Sequence, residues 1–192
     1  MSTSVFHQVY KHPLFTEADM QQIIELHQPV KIAKNELLLC EGKTANAYYL
    51  VEQGLIRFYV NDFNGNEITT QFTCENEIAN EVSSLFQRLP SVQNIQAVTD
   101  ALVWKIDFEN FQYLYHSLES VREWGREWMS AKLFEIQQRS VEMITQSAST
   151  RYLHLMQHRP QIIRQAPLKY IASYLGIADT SLSRIRKDLV SA

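Results

Sequence analysis

Residues 168–189 read Leu168-Lys169-Tyr170-Ile171-Ala172-Ser173-Tyr174-Leu175-Gly176-Ile177-Ala178-Asp179-Thr180-Ser181-Leu182-Ser183-Arg184-Ile185-Arg186-Lys187-Asp188-Leu189. Leu168, Ile171, Ala172 and Leu175 recur at helical spacing and form the inner face of one helix, and the small Ala172 lets a second helix cross close to it. Gly176 supplies a left-handed turn. Ile177 plugs that turn, Asp179 suits a helix start through its side-chain acceptor and its charge, and Leu182, Ile185 and Leu189 form the inner face of the second helix. This is the pattern of a helix-turn-helix. Its outer face carries hydrogen-bonding residues, and Arg is the commonest reader of guanine in the major groove. Thr180, Ser181 and Arg184 are expected near base edges, with Lys187, Lys169, Ser183 and Arg186 nearer the phosphate backbone. The competing reading is an ordinary helical hairpin with a solvated face.

Charge is divided along the chain in a way that fits the first reading. Residues 1–115 hold 14 Asp/Glu and 7 Lys/Arg, whereas residues 147–192 hold 2 acids, Asp179 and Asp188, and 7 bases. An acidic front and a basic tail point to a polyanion as the partner of the tail. The whole chain, 192 residues with 45% hydrophobic and 20% charged residues, has globular composition. No run approaches the roughly 18 apolar residues that span a bilayer, and residues 1–10 lack the regions of a signal peptide, so no membrane partner and a cytoplasmic location are expected. Cys40 and Cys74 are too few for a disulfide scaffold or a cysteine-ligated cluster and are expected to be reduced.

Upstream of the tail the periodicity changes twice. Thr16, with Asp19 three residues on, nearly completes a capping box and opens a short helix over residues 16–28. Strand-like segments follow at 30–32, 36–40, 48–52, 55–61, 67–72 and 101–107. Gly42, Gly54 and Gly65 punctuate them, and Asn64-Gly65 is a hairpin signal. Evenly spaced short strands imply a sandwich or barrel. Residues 118–146 contain no Pro and one Gly, which reads as a single long helix. Its apolar residues fall on two lines, one with Val121, Trp124 and Trp128, the other with Met129, Leu133 and Ile136. A surface helix needs one apolar face, so two suggest one against the chain's own barrel and one against a second subunit. The six residues are taken together as the expected dimer set. A shorter helix is expected at 149–158, before Pro160.

Read together, the run from Glu41-Gly42 through Tyr48-Tyr49-Leu50-Val51-Glu52-Gln53-Gly54-Leu55-Ile56-Arg57 to Asn64-Gly65-Asn66-Glu67, the long helix and the helix-turn-helix resemble the Crp/Fnr family of bacterial transcription regulators. The resemblance implies an α+β chain. It comprises an antiparallel β-roll sensor of the cyclic-nucleotide-binding type, a jelly-roll-like double-stranded β-helix, over residues 1–116. A dimerisation helix over 117–146 and a DNA-binding domain over 147–192 complete it. It also implies a homodimer on a double-stranded DNA operator, with RNA polymerase as a protein partner. A β-wing is not expected after the second helix, because residue 192 lies three beyond Leu189.

The resemblance fails at the nucleotide. Family members that bind one carry a Gly-Glu-Leu/Ile-Gly/Ala stretch for the ribose and an Arg-Ser/Thr-Ala stretch for the phosphate. Here the first reads Asn76-Glu77-Ile78-Ala79, with Asn tolerating a left-handed backbone in place of Gly. At the second the chain reads Pro90-Ser91-Val92, with Arg88 as the nearest cation and Pro90 lacking an N–H. Glu77, Ile78, Ala79, Arg88, Ser91 and Val92 are thus expected to form a degenerate pocket. Cyclic AMP is not expected as a ligand, no resident cofactor is expected, and the effector, if any, is an unidentified small molecule.

Other chemistry is thinly represented. His154 and His158 share a helix face but lack a third ligand nearby, and residues 30–107 contain no His for a cupin-type metal site. Asp107 and Glu109 have no nucleophile partner, and no phosphate loop is present, so neither a metal site nor an enzyme is expected. Two functions remain: a dimeric DNA-binding regulator, or a β-roll ligand-binding or interaction module whose helical tail serves assembly.

Overall fold

The computed structural model describes residues 4–190. The outermost ends of the first and last expected domains, including the residues after the second tail helix, lie outside the described residues. After α1 (Ser4–Val9), α2 (Glu17–Leu26) starts on a complete capping box: the Thr16 hydroxyl accepts from the Asp19 N–H, and the Asp19 carboxylate accepts from the Thr16 N–H, both at 3.1 Å.

Eight strands then build two four-stranded antiparallel sheets. One has the order β1 (Gln28–Ile32), β8 (Ala101–Asp107), β3 (Ala47–Gln53), β6 (Ile78–Ala79). The other has the order β2 (Leu37–Leu39), β7 (Asn94–Ala97), β4 (Ile56–Asn61), β5 (Glu67–Thr73). Inward residues of both, among them Val51, Ile56, Phe58, Ile95 and Val103, are buried between the sheets. This is the expected β-roll. Asn64-Gly65 closes the β4–β5 hairpin, with Gly65 at φ +80° and the Asp62 carboxylate accepting from the Asn64 and Asn66 N–H groups at 2.8 Å.

Strands β6 and β7 and the six-residue helix α3 (Val82–Gln87) between them were not expected from the pattern, because each is too short to show a period. The expected long helix is preceded by a separate α4 (Phe108–Ser117). The two meet at Leu118, whose extended backbone breaks the helical path, and α5 (Glu119–Thr145) follows for 27 residues. The tail comprises α6 (Ala148–His158), α7 (Pro160–Gln165), α8 (Leu168–Tyr174) and α9 (Asp179–Val190).

The two lines on α5 separate physically. Val121 and Trp124 are buried in the chain's own core, with Trp124 donating its indole N–H to the Val9 carbonyl at 2.9 Å and Trp128 stacked on it. Their inclusion in the dimer set is therefore corrected: α1 and the roll already cover that line. Met129, Leu133 and Ile136 remain exposed, the last two at 54% and 61%, and Phe134, Val141 and Ile144 extend the exposed apolar surface.

Candidate nucleic-acid interface and effector cassette

The helix-turn-helix is held by local chemistry that the sequence specifies. Gly176 adopts φ +68°, its N–H bonds to the Ser173 carbonyl at 3.0 Å, and the Ile177 N–H reaches back to the Ala172 carbonyl at 3.0 Å. This pair of bonds is a Schellman motif, which terminates α8 and aims the chain into α9. A Cβ built on Gly176 would lie 2.7 Å from the end of the Met143 side chain, so the turn also packs close against α5. Ile171, Ala172, Leu175 and Leu182 are buried where the two helices cross, with Ile177 and Ile185 packed alongside. Leu168 and Leu189 are 39% and 36% exposed, which corrects their placement on the inner faces: they stand at the outer ends of the two helices, beyond the crossing.

Thr180, Ser183, Arg184, Arg186 and Lys187 are exposed on α9, with Ser181 half-buried, and Lys169 is exposed on α8. The side chains of Thr180, Ser181, Ser183, Arg184 and Arg186 make no hydrogen bond or ion pair among the described residues. The structure thus brings the expected DNA-contacting residues onto one solvated helix and its neighbour.

The cassette at residues 76–92 is arranged differently. Asn76 takes the left-handed backbone expected of it, at φ +63°. The Glu77 carboxylate accepts from the Cys74 N–H at 2.8 Å and is ion-paired with Arg159, at the junction of α6 and α7. Arg159 also lies 3.5 Å from the Cys74 sulfur and 3.7 Å from Glu135 on α5. Burial raises the Cys74 thiol pKa above its ordinary value, against the opposing pull of Arg159. Arg88 caps α3 from a left-handed conformation at φ +57°, donates to the Ala45 carbonyl at 2.7 Å and to the Asn46 side chain, and stacks on Phe108. Ser91 is buried, its hydroxyl donating to the Gln93 carbonyl at 2.7 Å, while Val92 is 68% exposed. Ile78 and Ala79 form β6 and are buried in the roll. Glu77 thus bonds toward the tail and Arg88 toward the 45–46 turn.

Sequence reasoning missed the residues that join roll to tail. Arg57 on β4 is fully buried. Its guanidinium lies 4.2 Å from the ring centre of Tyr59 and 3.5 Å from that of Tyr170 on α8. It donates to Gln96 at 2.9 and 2.6 Å and to Glu67 at 2.5 Å. Ser173 on α8 accepts from the Thr69 N–H at 3.2 Å, and Phe72 meets Tyr174 edge-on. The available signal was alternation: with Ile56 and Phe58 turned inward, Arg57 and Tyr59 must share the sheet's outer face. Arg151 and Arg159 are two of the seven bases of residues 147–192, yet both are engaged within the chain, Arg151 donating to the Gln146 and Leu175 carbonyls at 2.6 and 2.7 Å. His154 and His158 have ring centres 4.3 Å apart, and no group of three or more potential metal ligands occurs among the described residues.

Residues 29–117 match the family model described as the cyclic nucleotide-binding domain. Among curated proteins no sequence matches the chain. Similar solved structures include the c-di-GMP-responsive global regulator CLP of Xanthomonas campestris, 14% identical, with a TM-score of 0.71 and 92% of each chain covered. FixK2 of Bradyrhizobium japonicum is 16% identical, with a TM-score of 0.73, covering 86% of this chain and 85% of that one. The catabolite activator protein of Thermus thermophilus is 19% identical, with a TM-score of 0.58, covering 97% of this chain and 87% of that one. A regulator of the crp/fnr family from Eubacterium rectale is 18% identical, with a TM-score of 0.72 over 95% of this chain and 88% of that one. Residues 29–117 are thus similar to the cyclic nucleotide-binding domain, and the chain as a whole shares the fold of these solved structures, that of the crp/fnr family regulator among them.

Proposed function

We propose that the chain is a homodimeric, sequence-specific DNA-binding transcription regulator of the Crp/Fnr type, with a nucleotide cassette that no longer serves cyclic AMP. The observation that carries the proposal is α9: its Leu182 and Ile185 pack into the cluster shared with α8, while Thr180, Ser183 and Arg184 stand in solvent with no side-chain partner among the described residues. A helix inserted by its N-terminal part brings Thr180, Ser181 and Arg184 to base edges and leaves Lys187, Lys169 and Arg186 near phosphates.

The homodimer is supported by α5, where Leu133, Ile136 and Ile144 are 54%, 61% and 86% exposed on a helix that already packs by its opposite side. An apolar stripe of this kind is covered in a stable protein. A two-fold pair of α9 helices about 34 Å apart would then address successive major grooves. Loss of the cyclic AMP site is supported by the ion pair that occupies Glu77 and by the structural contacts of Arg88. RNA polymerase is the expected protein partner of such a regulator. Within the described residues no helix is long and apolar enough to cross a membrane.

The test is selection of bound fragments from random double-stranded DNA with the full chain. An enriched inverted repeat supports the proposal. Recovery of no sequence preference, from protein that dimerises normally, would favour the assembly-module reading instead.

A further inference from the structure

The chain leaves α5 at Gln146 and re-enters a helix at Ser147, both in extended backbone, and a cleft of about 160 Å³ lies between α5, α6 and the end of α8. That is room for an ion and a few waters, and less than a drug-sized ligand requires. Three arginines, two glutamates and two histidines stand in its walls. The arginines are committed within the chain. Arg139 donates to the Tyr174 carbonyl at 2.9 Å and Arg151 to those of Gln146 and Leu175, all at the negative, C-terminal ends of α8 or α5, while Arg159 is paired with Glu77. Glu135 lies between Lys132 at 2.7 Å and Arg159 at 3.7 Å. What is left over is Glu142, His154 and His158.

His154 and His158 stand one turn apart on a single face of α6, with ring centres 4.3 Å apart. Both are exposed, and neither ring makes a hydrogen bond among the described residues, so their nitrogens are uncommitted. Glu142 lines the same cleft from α5, half-buried. Its carboxylate accepts one bond, from Gln138 Nε2 at 2.8 Å, and meets no cation among the described residues. Two imidazoles at this spacing can chelate one ion, and imidazole suits first-row transition metals rather than magnesium or calcium. No set of three ligating side chains is assembled among the described residues, so water must fill the rest of the shell, and the cleft has room for it. A metal-bound water needs an acceptor. Glu142 is the carboxylate left free to be one.

We propose that His154 and His158 bind one divalent transition-metal ion of the zinc type, with water completing the shell and Glu142 accepting a hydrogen bond from one of those waters. The partner that α6 itself lacks comes from α5. Because Glu142 belongs to α5 and the histidines to α6, the bound ion ties the two helices together across residues 146–147 and holds the first helix of the tail against α5. None of the three residues belongs to the cassette at 76–92 or to the expected dimer set, and the site is independent of whether the tail binds DNA.

The experiment is calorimetric titration of the full chain, free of any purification tag and stripped with EDTA, with zinc chloride. One Zn²⁺ per chain is expected, with Kd of roughly 10 µM, which corresponds to about half the binding free energy of a complete four-ligand site. His154→Ala and His158→Ala should each weaken binding by about tenfold or more; both side chains are exposed, so the variants fold. Glu142→Gln keeps an acceptor for Gln138 and should weaken binding about tenfold, as loss of an outer carboxylate does. Mg²⁺ should give no binding heat. Zn²⁺ should also slow proteolysis at residues 145–147 in the wild type and leave it unchanged in His158→Ala. Absence of zinc binding by the wild-type chain, unchanged affinity in either histidine variant, or unchanged affinity in Glu142→Gln would each overturn the proposal, the last by removing α5 from the site.

Discussion

The seam between the roll and the tail and the outer face of α9 are both rich in arginine, and they use it in opposite ways. At the seam, Arg57 lies between the rings of Tyr59 and Tyr170, and Arg159 meets Glu77, Cys74 and Glu135, so these cations are matched within the chain. On α9, Arg184 and Arg186 have no partner among the described residues. A desolvated guanidinium needs its hydrogen bonds and its counter-charge supplied by the fold, whereas an exposed one keeps them for whatever approaches. The difference teaches that the basic count of the tail overstates its outward charge: at least Arg151 and Arg159 hold the molecule together.

The seam can be broken most severely at Arg57. Arg57→Leu removes the stacked cation and its bonds to Gln96 and Glu67, and a loss of about 3 kcal/mol is expected, at the low end of the usual range for a broken buried pair because Glu67 is partly solvated. Urea unfolding measures it, and limited proteolysis should cut in the tail before the roll. A similar stability change from Arg184→Ala would erase the contrast; that variant should shift stability by no more than about 0.5 kcal/mol.

Acid should attack the roll from a different place. His27 is buried, with its ring bonded to the Ile23 carbonyl at 2.7 Å and to the Tyr10 hydroxyl at 3.3 Å, and burial lowers its pKa from 6.5 to about 4. The folded value lies below the unfolded one, so this contribution is complete above pH 6.5 and is lost as pH falls from 6.5 toward 4. It amounts to about 3 kcal/mol. His27→Gln should flatten the stability profile across that window while leaving Arg57-dependent stability intact, as unfolding midpoints at several pH values would show.

Smaller effects sharpen the comparison. Glu77→Gln keeps an acceptor for the Cys74 N–H but removes the charge opposite Arg159, and a loss of about 1 kcal/mol is expected by thermal denaturation. In neither form should millimolar cyclic AMP raise the midpoint; stabilisation of the wild type by micromolar cyclic AMP would show that the cassette is intact. Gly125→Ala should stabilise by at most about 1 kcal/mol through helix propensity, since its new methyl group meets nothing closer than 3.8 Å.

What the sequence revealed follows the strength of local signals. The turn at Gly176, the hairpin at Asn64-Gly65 and the cap at Thr16 are each decided within a few residues, and all three stand where expected. The left-handed Asn76 belongs with them. Strands of two to four residues such as β6 and β7 carry no period, so they were invisible. Contacts such as Arg57 with Tyr170 or Glu77 with Arg159 join residues far apart in the chain, and no spacing rule brings them together. The recognition residues were legible for the converse reason: α9 alone fixes which of its side chains point outward. On α5 the two apolar lines were visible, but only the fold showed that the Trp124 line is covered by the chain itself.

The central claim, that α9 reads DNA with residues the fold leaves unmatched, is tested most directly by fluorescence anisotropy on the selected operator and on a scrambled duplex, comparing the wild-type chain with Arg184→Ala. The account predicts that Arg184→Ala loses roughly 1 to 3 kcal/mol per half-site on the operator, and with it the preference at one base pair, while binding to the scrambled duplex changes little. Unchanged affinity and unchanged preference in the variant would contradict it and leave the tail as an assembly element.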